Sequence, residues 1–235
     1  MRISEYLIFN LLVFVPPFAF GLMKRFSFKR QFAPAFLSIF SVAPVLVIWD
    51  SLVTKRHWWF NAEYVAEISI LGLPYEEILF FLTVPFACLF TWDMVARRTL
   101  PKCHKGLSLI YLLLVIAGLS GIPIWFTGKE YTALALFSLA ISSAVDLVLR
   151  TRLLQQPRFF AFLVLVIIFI TVFNGYLTAR PVVLYDSQYQ SDVRIITIPV
   201  EDYVYGIAHI VACTSFFEFF RTNLRIFKGA TPPLI

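Results

Sequence analysis

The sequence predicts an all-α integral membrane protein with seven transmembrane helices, arranged as two parallel three-helix repeats (spans 1–3 and 5–7) joined by span 4. Three observations predict it. The first is composition: the 235 residues are 60% hydrophobic and 14% charged, against about 25% charged in a soluble globular domain. The second is a series of seven apolar runs, most near the roughly 20 residues needed to cross a bilayer. The third is an acidic turn that occurs twice, as Leu73-Pro74-Tyr75-Glu76-Glu77-Ile78-Leu79-Phe80-Phe81 and as Ile198-Pro199-Val200-Glu201-Asp202-Tyr203-Val204-Tyr205.

The runs follow in order. Tyr6 to Met23 is uncharged and lacks the basic start and small-residue cleavage site of a signal peptide, so it reads as a retained span. Phe32 to Trp49 comes after the basic loop Lys24, Arg25, Lys29, Arg30. The third span begins at Pro74 and ends near Ala96. Gly106 to Gly128 and Tyr131 to Val145 are the fourth and fifth, divided by a tight turn near Thr127 to Glu130. Phe159 to Ala179 and Pro199 to Phe220 complete the set.

Orientation follows from the positive residues in alternate connections. Loops 1–2, 3–4 and 5–6 and the C-terminal tail carry 14 Lys and Arg, among them Arg97, Arg98, Arg150, Arg152, Arg158, Arg221, Arg225 and Lys228. The other side carries six: Arg2, Lys55, Arg56, Lys129, Arg180 and Arg194. The expected N-terminus is therefore outside and the C-terminus cytoplasmic. This loop bias accounts for the net charge of +6 without any nucleic-acid partner. Cys88, Cys103 and Cys213 have neither metal-ligand nor disulfide-framework spacing.

The repetition reaches well beyond the acids. Asp50, in Trp49-Asp50-Ser51-Leu52-Val53-Thr54, precedes Pro74 by 24 positions, and Asn174, in Phe173-Asn174-Gly175-Tyr176-Leu177-Thr178, precedes Pro199 by 25. Asp93 follows Glu77 by 16 and Glu218 follows Asp202 by 16, with Arg97 and Arg221 close behind. An internal duplication explains this order, and gives residues 1–100 as the first repeat, 101–129 as a linker helix and 130–235 as the second repeat. Equivalent helices are four spans apart, so the halves share one orientation. Both acidic turns then fall at the same, non-cytoplasmic end and can line one pocket between the halves.

Those acids are the candidate catalytic groups. Only 15 residues separate Glu77 from Asp93, or about 22 Å of helix against a hydrocarbon core of ~30 Å. Some acids must therefore sit against the apolar slab, where an ionisable side chain is expensive and points to function. Burial disfavours the charged form of a carboxyl, which suits a proton donor at neutral pH. The plainer structural reading of Glu76, Glu77, Glu201 and Asp202 is first-turn acids at a helix N-terminus, following a favoured Pro. Repetition weighs against that reading. Neighbours on a helix point about 100° apart, so one acid of each pair can face the pocket while the other caps or faces water, and spacing leaves open which. Asp50 and Asn174 read either as polar helix ends or as partners that hold a Glu proton in place. Asp93 and Glu218 read as ion-pair partners of Arg97 and Arg221.

His209 lies seven residues past Asp202, on nearly the same face, and its counterpart is Val84. A packed, hydrogen-bonded His is the plainer expectation there. His57 and Trp58, just after span 2, read either as part of the site's rim or, as the cheaper explanation, as interfacial anchors. Tyr75, Phe80, Phe81, Tyr203 and Tyr205 surround the acids. Most of the 26 Phe are lipid-facing bulk, but rings near the acids can stabilise a carbocation through their π faces.

Absences narrow the chemistry. No span carries a lysine for a retinal Schiff base, there is no G-x-G-x-x-G, no Asp-rich D-x-x-x-D box and no His cluster. Acid chemistry without redox on an apolar substrate remains.

Pro74, Glu76, Glu77, Phe80 and Phe81, in the pattern Pro-x-Glu-Glu followed by Phe-Phe, resemble the membrane-integral lycopene cyclases. That family includes heterodimeric bacterial enzymes of two three-span subunits and the cyclase half of fungal bifunctional enzymes. Asn174-Gly175-Tyr176-Leu177-Thr178 with Pro199, Glu201 and Asp202 is similar to the second subunit, so the chain resembles the fused form. Asp202 departs from the usual Glu and shortens the carboxyl's reach. The resemblance implies lycopene as substrate, a bacterial inner (cell) membrane, and proton-initiated closure of its ψ ends to β-ionone rings. It implies no cofactor, unlike the flavin-containing soluble-type cyclases. It leaves open whether one or both ends are cyclised, whether the ring is β or ε, a homo-oligomer, and which acid is donor and which base. The competing classes are a non-enzymatic seven-helix carotenoid or lipid binder, a proton-coupled small transporter and a terpene-epoxide cyclase of similar shape; pigment formation in a lycopene-accumulating host separates the first two from a cyclase.

Overall fold

The computed structural model describes residues 4–99 and 102–227. Arg2 and Lys228, and the side chain of Arg225, used in the charge count above, lie outside the described residues. Among the described residues seven helices are long and apolar enough to cross a membrane. They are α1 (Glu5–Leu22), α2 (Phe32–Val53), α3 (Tyr75–Arg98), α4 (Leu109–Phe126), α5 (Glu130–Val148), the composite sixth span, and α8 (Val200–Phe227). The sixth span is α6 (Pro157–Phe169), a π-helical turn (Ile170–Asn174) and α7 (Gly175–Ala179). The predicted spans are thus all present, with ends moved by a few residues. Asp50 falls within the last turn of α2 rather than at its end, and Asn174 is followed by one more helical turn.

Prolines at 16, 17, 44, 85 and 123 lie inside these helices. Packed neighbours in a helix bundle make such breaks tolerable. The turn between α4 and α5 is as tight as expected: Gly128 takes φ +85° and α5 starts two residues later.

Helix packing is paired. α1 lies on α3 and α5 on α8, while α2 packs against α8 and α6 against α3. Fully buried Phe28, Phe86, Trp92, Phe159, Phe162 and Phe217 form the centre of the main core. A smaller core of Tyr6, Phe9, Val13, Tyr64, Leu177 and Val182 closes the end near the acidic turns.

Six short strands, which the apolar pattern did not reveal, complete that end. β1 (Trp58–Phe60) pairs antiparallel with β4 (Val183–Tyr185) and joins the loop after α2 to the loop after α7. β2 (Ser69–Ile70) pairs with β3 (Leu73–Pro74), and β5 (Arg194–Ile195) with β6 (Ile198–Pro199), as matching hairpins just before α3 and α8. Strands of two or three residues have too few positions to display a period of two, so sequence alternation could not mark them. Two ion pairs clasp the same end: Arg56 to Glu130 at 2.5 Å and Arg180 to Glu5 at 2.6 Å.

α4 packs on α5 through small residues. A Cβ on Gly118 would meet Ala140 Cβ at 2.5 Å, and one on Gly121 would meet Phe137 Cε1 at 2.7 Å and Ala133 O at 3.0 Å. Close helix approach through small residues is how bundles gain packing in lipid. Gly121→Val should therefore overpack the α4–α5 seam by about 1–3 kcal/mol, read as a lower thermal midpoint in detergent than for Gly106→Val, whose site is open.

Candidate functional site

Both acidic turns are built alike. The hairpin tip ahead of each places a non-glycine residue in left-handed backbone, Leu71 at φ +57° and Ile196 at φ +61°. The chain then passes a buried Pro74 or Pro199 and enters the helix with its two acids in the first turn. The amide-rich helix start favours acids there.

The first acid of each pair ties loops together. Glu76 Oε1 accepts the Ser4 hydroxyl and the Ala66 N–H at 2.8 Å. Glu201 Oε1 accepts the Thr132 hydroxyl at 2.5 Å and the Ser191 N–H at 2.7 Å. Each backbone donor stands 10 residues ahead of its acid. Both side chains are buried, at 0% and 1% exposure, and neither lines the cavity described next.

The second acid of each pair faces inward. Tyr6 donates to Glu77 Oε2 at 2.5 Å and Tyr131 donates to Asp202 Oδ1 at 2.5 Å, each across 71 positions of sequence. Asp202 gains two further donors on Oδ2, Asn174 Nδ2 at 2.6 Å and Tyr185 OH at 2.7 Å. The π turn that ends at Asn174 widens the helix there and breaks the regular 100° advance, presenting the amide to α8. Burial and the Asp202 carboxylate hold the Tyr185 phenol above its ordinary range, so it stays a proton donor to that oxygen at neutral pH.

Asp50 stands where Asn174 stands in the other half. Its Oδ1 accepts Trp58 Nε1 at 2.8 Å and Thr54 Oγ1 at 3.2 Å, and its buried Oδ2 has no hydrogen-bond partner among the described residues. Of the two readings of Trp58, interfacial anchor and site rim, the second fits: it reaches inward, because β1 pairs with β4 and turns its indole onto Asp50. His57 beside it contacts Glu130 at 3.0 Å, and burial pulls its imidazole below the ordinary range.

Glu77, Asp50 and Asp202 converge on one cavity of about 350 Å³. Among the described residues no Lys or Arg lines it, and its walls are mostly apolar and aromatic. Trp49, Trp58, Phe80, Phe81, Tyr131, Tyr185 and Tyr205 are on them, with Trp49 edge-on to Tyr205 at 4.7 Å. His209 is also in the wall, buried between Phe81 and Tyr205, with centroid distances of 5.8 and 6.4 Å. The expected hydrogen bond is not found: its buried Nε2 has no partner among the described residues. Among those residues no group of three or more His, Cys, Asp and Glu has the arrangement of a metal site.

Of the candidates read from sequence, the cavity thus brings together Glu77, Asp202, Asp50, Asn174, Phe80, Phe81, Tyr205 and His209. Glu76, Glu201, Tyr75 and Tyr203 do not line it; Tyr203 shares a hydrogen bond of 3.1 Å with Thr171 on the sixth span. Tyr6, Tyr131 and Tyr185 were missed. A signal for the first two existed, since Glu5-Tyr6 and Glu130-Tyr131 repeat at the spacing of the acids. At the opposite end Arg97 binds Asp93 at 2.6 Å as expected, and Arg221 reaches both Glu218 at 2.7 Å and Asp93 at 3.3 Å, joining α3 to α8.

Comparison with curated proteins and with solved structures gives no match. The family model described as lycopene cyclase matches twice, over residues 4–95 and 128–220, well over half of the chain. Each matched stretch holds one inward tyrosine, one proline-led acid pair and one Asp50 or Asn174 position. The chain belongs to the lycopene cyclase family.

Proposed function

We propose that the protein is a lycopene β-cyclase, converting the ψ end groups of lycopene to β-ionone rings by way of γ-carotene to β-carotene. The observation that carries this reading is the cavity itself: three buried carboxyls at one end of an otherwise apolar, aromatic-walled space with no cation beside them. Such a space suits a hydrocarbon, and such acids suit proton transfer to and from carbon.

The two halves hold their inward carboxyls differently, and this divides the work. Asp202 accepts from three donors where Glu77 accepts from one, so Asp202 is the better-partnered carboxyl of the two. Glu77 and Asp50 line the same largely apolar cavity, with no Lys or Arg among its described lining residues, and like charges in one site cannot both ionise cheaply. In this reading the Asp50–Glu77 pair holds a proton and Glu77 delivers it to the terminal double bond. The tertiary cation is attacked by the neighbouring alkene, one carbon–carbon bond forms and a ring cation results. Asp202 removes a ring proton, its electrons make the ring double bond, and the product is an isomer of the substrate. The proton returns from Asp202 to the Glu77 pair between turnovers. Rings of Trp49, Trp58, Phe81 and Tyr205 offer their faces to the cation. Tyr6 and Tyr131 orient the two carboxyls.

The paired packing of α1 on α3 and α5 on α8, and the two matched stretches, support the two-repeat arrangement with α4 as linker. The excess of Lys and Arg in alternate loops supports a cytoplasmic C-terminus, in a bacterial inner membrane.

A lycopene-accumulating host expressing the chain should gain γ- and β-carotene on pigment extraction; unchanged lycopene with normal protein in the membrane would sink the reading. Glu77→Gln keeps shape but not the acid, and should lower conversion by about 10²–10⁴-fold. Glu76→Gln should act on stability instead, by about 1–3 kcal/mol for a disturbed buried bond, seen as a lower thermal midpoint. Asp50→Asn makes the first half resemble the second and removes the shared proton. It should shift the alkaline limb of the pH–rate profile, where the donor loses its proton, and cut turnover, whereas Asn174→Gln, which touches the base Asp202 and not the donor pair, should mainly lower turnover without moving that limb.

A further inference from the structure

The chamber of acids has one long apolar extension, and it lies on one side only. Along α3 the wall continues from Glu77 past Val84, Ala87 and Cys88 to Thr91, 14 residues or about 21 Å of helix. On α8 it runs from Asp202 only to Ile210, eight residues or about 12 Å. Ala212, Cys213 and Phe216, which stand 125 positions after Ala87, Cys88 and Thr91, do not line it. The backbone at Cys213 is instead packed against α2, its carbonyl taken by the Ser38 hydroxyl. So the halves match at the acids and differ below them.

The extension is flanked by α1, through Leu12, Val13, Pro16 and Pro17, and by the sixth span, through Val166, Phe169 and Ile170. Leu12 is both a lining residue and 67% exposed, so the slot opens toward the lipid-facing surface between these two helices. Both helices are irregular at this point. Pro16-Pro17 removes two N–H donors from α1, and the π turn begins at Ile170.

We propose that this slot is the binding site for the unreacted polyene arm of the substrate, reached sideways from the bilayer between α1 and the sixth span. It rests on the cyclase reading of the same chamber. Three properties name the occupant. The slot is continuous with the acids, so whatever fills it is joined to the reacting end. Its lining side chains below the acids are uncharged, so the occupant is a hydrocarbon. It extends about four turns of α3, a length that fits a long conjugated chain and not a compact terpene. A polyene held there by its arm presents its end group to Glu77 with no polar handle needed for orientation.

The test compares matched positions. Ala87→Phe fills the slot, and Ala212→Phe places the same ring at the equivalent site in the other half, outside the slot. Leu12→Trp narrows the lipid-side mouth from a surface position that cannot disturb the core. In proteoliposomes containing lycopene, Ala87→Phe should lower conversion by about tenfold or more, and Leu12→Trp should raise the apparent KM with kcat little changed. Ala212→Phe should stay within about twofold of the parent. Binding is read separately, as the shift and induced circular dichroism of the lycopene absorption bands on the purified protein. That signal should be lost with Ala87→Phe, weakened with Leu12→Trp and kept with Ala212→Phe. Equal conversion and equal binding by Ala87→Phe and the parent overturn the slot, as does an Ala212→Phe defect matching that of Ala87→Phe. If the parent binds lycopene in the same pattern but yields no ring, the cyclase reading fails and the slot stands.

Discussion

A carboxyl inside a hydrocarbon-embedded bundle must be given a partner, and the rest of this structure follows from how that is done. The four acids of the two proline-led turns lie at one end of the helices, each 9% exposed or less. Two accept a hydroxyl and a backbone N–H on Oε1, and these bonds tie the loop before each hairpin to the start of the first helix of its half. The other two are met by a tyrosine from that same first helix. These bonds span the full length of each half in sequence. They therefore fix where α1 sits on α3 and where α5 sits on α8, and they place the cavity between the inner pair.

Around that constraint the halves are free to differ, and the differences carry chemical meaning. Asn174 can only donate its amide protons to Asp202, while Asp50 can donate to a neighbouring carboxyl only if it is itself protonated. Val84 and His209 occupy matching places on the wall, one inert and one a buried imidazole without a polar neighbour on Nε2. Below the acids, one half opens along Ala87 and Cys88 while the other is filled at Cys213. A duplicated frame with unequal contents provides what a cyclisation requires in the proposed mechanism: a group that gives a proton, a group that takes one, and a single path for the remainder of the substrate.

The end opposite the acids works in a different way. Asp93, Glu218, Arg97 and Arg221 neutralise one another between α3 and α8, and Trp92 donates to Glu218 at 2.7 Å. Removing one member of a buried set of this kind leaves an unpaired charge, so the cluster ties the two third helices together without a part in the proposed reaction. The apolar and aromatic packing around Phe28, Phe86 and Phe217 lies in the same core.

Much of this could be read from the order of residues alone. The seven spans follow from composition and run length, because bilayer thickness sets a minimum that no soluble helix needs to meet. The acid pairs could be singled out because proline, two acids and a following aromatic recur in one order. Sequence could not decide which acid of each pair turns inward, since neighbours differ by about 100° and the phase is set by packing. It could not find Tyr185, nor choose between rim and interface for Trp58, since both reach the acids only because β1 and β4 pair across the two halves. Nor could it show that the cavity extends along one half alone, because space between helices is the remainder left by all their side chains together, and no single stretch of chain records it.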